Sequence, residues 1–139
     1  MNRINYQKQL EEIIAKHEKA GEVPTLLLHS CCAPCSSYCL EYLSNFFRIT
    51  VFYYNPNIYP EGEYGKRVEE QQRFINLLPA KYPVSFVEGA FDTKRFYEVT
   101  KEYADCPEGG ERCFRCYQLR LEETAKLAKE MGMDYFTTT

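Results

Sequence analysis

The residues best suited to chemistry in this sequence are its seven cysteines, five of which fall in two tight groups. Cys31, Cys32 and Cys35 sit in His29-Ser-Cys-Cys-Ala-Pro-Cys35, and Cys113 and Cys116 form a C-x-x-C. A C-x-x-C opening a helix puts both sulfurs on one face, one turn apart. The unpaired N–H groups of a helix start also lower thiol pKa values, which favours the thiolate that binds metal. Two such groups, each on a loop-to-helix turn, can converge on one metal centre. A structural zinc site with four cysteine ligands would use the same residues. The surplus of sulfur donors, and two adjacent cysteines that make an awkward chelate for one tetrahedral ion, point to iron. Cys32-Ala-Pro-Cys35 after a strand also fits a thioredoxin-like dithiol. Cys39 reads as a small apolar core residue. Cys106 is open between an outer ligand and no role.

The elements that position these residues follow from periodicity. Ile4, Leu10, Ile13 and Ile14 give the first twenty residues an amphipathic helical pattern ending near Gly21. Thr25-Leu-Leu-Leu-His29 reads as a strand buried on both faces. Ser36 to Asn45 reads as a helix with Pro34 near its first turn. Arg48 to Tyr54 is a second strand, rich in β-branched and aromatic residues. The loop Asn55 to Gly62 leads to a helix over Glu63 to Leu78, stopped by Pro79. Val84 to Val87 is a third strand, and Asp92 caps a helix from Thr93 to about Ala104. Cys113 to Met131 is a long helix closed by Gly132, and Tyr135 to Thr139 is a fourth strand. Strands alternating with helices predict an α/β chain: a Rossmann-like layered fold, with a parallel sheet and helices on both faces. Residues 1–139 form a single α/β metal-binding domain in this reading. The first cysteine turn then leaves the carboxyl end of a strand, where ligands bind in such folds.

Composition narrows the setting. The chain has 139 residues, 45% hydrophobic and 27% charged, enough for one compact domain with a real core. A net charge of -3 excludes the bulk basic field of a general nucleic-acid binder, so any RNA contact needs a local patch. The densest apolar cluster, Leu26–Leu28, is far short of the roughly 20 residues that span a bilayer. Met1 to Ala20 is charged, without an apolar signal core. The expectation is a cytoplasmic protein with no membrane partner, in which cysteines serve metal or redox chemistry rather than disulfides.

Four blocks together resemble a known family. His29-x-Cys-Cys-Ala-Pro-Cys35, Tyr53-Tyr-Asn-Pro-Asn-Ile-Tyr-Pro60, Arg112-Cys-x-x-Cys-Tyr-x-x-Arg120 and Tyr135-Phe-Thr-Thr-Thr139 are similar to the epoxyqueuosine reductases of the QueH type. The resemblance implies a cobalamin-independent oxidoreductase that converts epoxyqueuosine to queuosine in the wobble position of tRNA. It also implies a 4Fe-4S cluster held by Cys31, Cys32, Cys113 and Cys116, with an adjacent iron ion to which Cys35 is a ligand. The family continues past the Thr-Thr-Thr run, so the chain reads as a fragment, truncated at its C-terminus.

Removing an epoxide oxygen takes two electrons and two protons, and no side chain stores electrons at the needed potential. An external electron donor is therefore expected alongside the tRNA substrate. Tyr54, Tyr59 and Glu63 lie in or beside the loop after the second strand, placed to stack on a base or donate a proton. His29, closing a buried strand, reads as a satisfied core histidine. Arg67, Arg73, Lys94, Arg95, Arg112, Arg115 and Arg120 are the cations available for phosphates, with surface solvation the simpler account of Arg67 and Arg73. A nucleotide-binding α/β protein of the ATP-pyrophosphatase type would need a Gly-rich phosphate loop where this chain has Cys31-Cys-Ala-Pro-Cys35.

Overall fold

The computed structural model describes residues 5–58, 60–107 and 109–139. Ile4 and Tyr59 of the sequence reading lie outside them. Helix α1 (Tyr6–Ala20) starts at an Asn5 cap and closes at Gly21, whose φ of 71° is the left-handed conformation that favours glycine. Strand β1 (Thr25–His29) follows, with Leu27 and Leu28 both fully buried. Helix α2 (Ala33–Leu43) begins three residues earlier than its sequence pattern suggests. The cause is Pro34: in the first turn its missing N–H costs nothing, so the helix starts on Cys32 as cap and takes in Cys35.

Strand β2 (Arg48–Tyr53), helix α3 (Glu61–Leu77) and strand β3 (Ser85–Glu88) continue the alternation. Helix α4 (Thr93–Thr100) is capped by the Asp92 side chain, which accepts from the Arg95 N–H at 3.0 Å. The single helix expected to reach Ala104 tightens instead into a 3-10 turn over Lys101–Tyr103. Thr100 turns its hydroxyl back onto the Phe96 carbonyl at 2.8 Å, a local bond that competes with helix continuation. Helix α5 (Glu111–Met131) ends at Gly132, and strand β4 (Tyr135–Thr138) follows.

All strand pairings are parallel, in the order β3-β2-β1-β4. Side chains alternate across the sheet. Leu26, Leu28, Ile49 and Val51 meet Ile14, Leu40 and Leu43 of α1 and α2, with Phe74 and Ile75 of α3 against them. On the other face Leu27, Phe52 and Tyr54 meet Leu119 and Ala128 of α5, with Phe96 of α4. Helices thus cover both faces, as the layered α/β reading requires. No helix among the described residues is long and apolar enough to cross a membrane.

This order creates the site. The chain steps from β1 to β2 to β3 in one direction, then returns to place β4 on the other side of β1. The switch point lies at the carboxyl ends of β1 and β4, where such sheets bind ligands. Each crossover must bring the chain back, so the N-termini of α2, α3, α4 and α5 collect at that same edge.

Candidate metal centre

The turn after β1 carries the first cysteines. The Sγ atoms of Cys31, Cys32 and Cys35 all lie within 4.8 Å of one another, and those of Cys31 and Cys32 are 3.9 Å apart. Cys31 and Cys32 are half-buried and Cys35 is exposed. Among the described residues these three form the group that closes to metal-binding distance, while Cys113 and Cys116 stand outside it.

A buried polar layer fixes this turn. The Ser30 N–H donates to the Phe52 carbonyl at 3.1 Å, and Asn55 Nδ2 donates to the Ser30 carbonyl at 2.8 Å. The Tyr53 hydroxyl donates to the Cys31 carbonyl at 3.0 Å. Below, Gln71 Oε1 accepts from Ser30 Oγ at 2.8 Å and from Ser36 Oγ at 3.3 Å, tying the strand end to the first turn of α2. Ser30, Ser36, Asn55 and Gln71 are all fully buried. Asn55 Oδ1 and Gln71 Nε2 have no partner among the described residues, so the layer keeps one free acceptor and one free donor.

The three thiols are not equivalent. Burial pushes Cys31 up, and Cys32 beside it adds to the effect. At Cys32 burial acts the same way, but the Cys35 thiol and N–H, the Cys31 thiol and the Arg67 guanidinium outweigh it and bring this thiol below its ordinary value. Cys35 is pushed up to about 12, chiefly because it donates to Cys32. The first thiolate therefore forms at Cys32, the cap of α2, where the helix dipole also favours negative charge.

Cys113 and Cys116 occupy the first turns of α5, which Gly110 precedes as N-cap. Cys113 Sγ accepts the Gly109 N–H at 3.3 Å. Cys116 is 8% exposed, and burial raises it despite the helix start, with the Arg120 guanidinium opposing. Arg120 lies one turn beyond Cys116 and also bears on Cys31 and His29. Its guanidinium lies 4.8 Å from the Tyr117 ring centroid, and its buried Nε has no partner among the described residues. One cation thus acts on both cysteine groups.

The other candidates fall around this edge. Glu63, in the first turn of α3, pairs with Arg67 at 2.9 Å, and Arg67 is the cation acting on Cys32. Tyr54 is 4% exposed, its ring stacked on Phe52 at 5.8 Å. His29 donates from Nε2 to the Tyr54 carbonyl at 2.8 Å, so Nδ1 accepts from the Thr138 hydroxyl at 3.0 Å. Burial lowers its pKa, as fits a neutral core histidine. Cys39 packs against the α1–α2 core, and Cys106 is half-buried in the loop before α5.

Sequence reasoning missed Gln71, Asn55 and the serines. Gln71 carried a signal: it falls on the stripe of Tyr64, Val68 and Ile75, where a polar residue has no business unless it is paired. The donor set fits a soft metal centre. Thiols predominate, the Cys32 thiol lies below its ordinary value, and cations offset the negative charge that several thiolates would bring together.

Comparison with known proteins agrees. The family model for Epoxyqueuosine reductase QueH matches residues 26–139. An Epoxyqueuosine reductase QueH of Staphylococcus epidermidis is 44% identical over 138 residues, covering 96% of this chain and 58% of the relative. The Streptococcus pyogenes protein of the same name is 39% identical, covering 98% and 54%. That of Thermotoga maritima is 37% identical over 120 residues, covering 83% and 58%. The chain thus spans a little over half the length of these relatives. A family-model match over this much of the chain, with relatives 37–44% identical, makes the chain a member of the QueH epoxyqueuosine reductase family.

Proposed function

We propose that this chain carries the redox centre of an enzyme that deoxygenates epoxyqueuosine to queuosine in the wobble position of tRNA. The observation that carries the reading is the Cys31–Cys32–Cys35 group within 4.8 Å at the switch-point edge that also receives the C-x-x-C helix start. In this reading Cys31, Cys32, Cys113 and Cys116 hold a 4Fe-4S cluster, and Cys35 is a ligand to an adjacent iron ion. When bound, that centre supplies electrons singly from an external donor and a Lewis-acidic position for oxygen. The overall change is balanced: the epoxide takes up two electrons and two protons, both C–O bonds break, an alkene forms and the oxygen leaves as water.

The chain's own residues bind, orient and protonate. The Gln71 layer holds the cysteine turn rigid, which limits the rearrangement that electron transfer costs. Arg120 and Arg67 offset the negative charge of the thiolates. Glu63, a carboxylate paired with Arg67 at 2.9 Å, is the relay we assign for protons from water to the departing oxygen, with Tyr59 four residues before it in sequence and Tyr54 packed behind on Phe52. An enzyme acting on tRNA with such an oxygen-sensitive centre belongs in the reducing cytoplasm.

The test is turnover of an epoxide-bearing anticodon stem-loop by iron-loaded protein, with a low-potential reductant and without oxygen. Mass spectrometry should show loss of one oxygen from the nucleoside, and Cys113→Ala should abolish it. Full turnover by cluster-free Cys113→Ala protein would refute the proposal.

A further inference from the structure

A cavity of about 440 Å³ opens beside the C-x-x-C turn, between α4 and the start of α5. Cys113 and Cys116 form one side, Tyr97 of α4 the other, and Asn57 from the loop after β2 closes it. Lys101 and Arg112 line it as well. Among the described residues its lining carries no carboxylate. The neighbouring groove over the same two helices, by contrast, holds Glu98, Glu102 and Glu122. Arg112 donates to the Ala104 carbonyl at 3.2 Å, and neither it nor Lys101 pairs with an acid among the described residues.

Two cations on one cavity repel each other and gain by sharing an anion. Beside them Tyr97 is 67% exposed, a large ring open to solvent at the cavity. Thiolates alone would account for the cations but not for the open ring or for an amide facing the same space. Together, a π-face, two cations and an amide are what a nucleotide needs: stacking for the base, charge for the phosphate, and a donor–acceptor pair for the base edge.

We propose that this cavity is the nucleotide-binding part of the site, where Lys101 and Arg112 take a phosphodiester of single-stranded RNA and Tyr97 stacks on the adjoining base. The proposal rests on the tRNA reading above and adds the residues that grip the strand beside the cysteines.

The test is binding of an unmodified anticodon stem-loop RNA to the protein, purified without oxygen, across a range of salt concentrations. Each phosphate contact on a single strand contributes about 0.7 to the slope of log affinity against log salt. Arg112→Gln and Lys101→Gln should each weaken binding and flatten that slope by about 0.7. Tyr97→Ala should weaken binding about tenfold with the slope unchanged, since stacking releases no counterions. Arg73→Gln, an exposed cation on α3, should change neither. If the wild-type protein binds RNA but both cation variants keep its slope, the cavity is not the RNA site and the tRNA reading stands. If they keep the slope and lose iron, the cations serve the thiolates, and the proposal is overturned. An equal flattening in Arg73→Gln overturns it too, because charge would then act diffusely. If the wild-type protein binds no RNA at any salt concentration, the tRNA reading falls and the cavity proposal falls with it.

Discussion

Gln71→Leu separates the two tasks of the polar layer beneath the cysteines. Leucine fills a comparable volume with a branched apolar side chain, so little cavity forms. The change removes the bonds from Ser30 Oγ at 2.8 Å and Ser36 Oγ at 3.3 Å, each worth a net of about 0.5–1.5 kcal/mol. Neither hydroxyl is orphaned, however. Ser30 Oγ also reaches the Cys32 carbonyl at 3.2 Å, and Ser36 Oγ reaches the Cys32 and Ala33 carbonyls at 3.1 and 3.2 Å. Leucine also removes the buried, unpartnered Nε2, and losing such an unsatisfied donor returns about 1–3 kcal/mol. The opposing amounts leave folding stability within about 1 kcal/mol of wild type in urea unfolding. Iron retention should not survive so well. The glutamine ties the end of β1 to the first turn of α2, and the three cysteines hang between them. Loss of such an outer support typically costs about 10–100-fold in metal affinity. Chelator competition on iron-loaded protein measures it. A stability loss above about 3 kcal/mol, or unchanged iron retention, would refute the reasoning.

Two further outcomes follow from the same core. A Cβ at Gly89 would lie 2.8 Å from Phe52 Cε1 and 2.9 Å from Tyr54 Cδ2, so Gly89→Ala should cost about 1–3 kcal/mol as the stacked rings are pushed apart; an unchanged urea midpoint would contradict it. Burial raises the hydroxyls of Tyr53, Tyr54 and Tyr64 above the ordinary value of 10.0, and Glu88 adds to the shift at Tyr64. A raised pKa means the folded state holds its proton more tightly, so this contribution is complete below pH 10 and is lost as pH rises beyond it. Stability should fall above about pH 10, less steeply in Tyr64→Phe, and these tyrosinates should appear only with unfolding. Ionisation of all tyrosines in folded protein would contradict this.

Much of this structure was legible in the sequence because it depends on local physics. Thr25-Leu-Leu-Leu-His29 could only be a strand buried on both faces, and Gly21, Asp92 and Gly132 mark ends that the chain obeys. The cysteine turn was legible as chemistry, but its shape was not. Starting the helix at Ser36 missed the early start of α2, which makes Cys32 a helix cap and the first thiolate. What sequence could not supply is contact between distant elements. Gln71 meets Ser30 across 41 residues, Asn55 meets Ser30 across 25, and Arg120 acts on both cysteine groups only because α5 packs against β1. Tyr54 shows the converse. Its place at the end of the second strand, beside the loop, suggested a ring placed to stack on a base or donate a proton, while the strand alternation turns that ring inward onto Phe52.

The most direct test of the central claim is the metal content of the protein purified without oxygen: iron, zinc and acid-labile sulfide per chain, with the visible spectrum. The account predicts a brown protein with about four sulfides and iron in excess of sulfide. A colourless protein holding one zinc and no sulfide would contradict it, and would make the cysteines a structural zinc site instead.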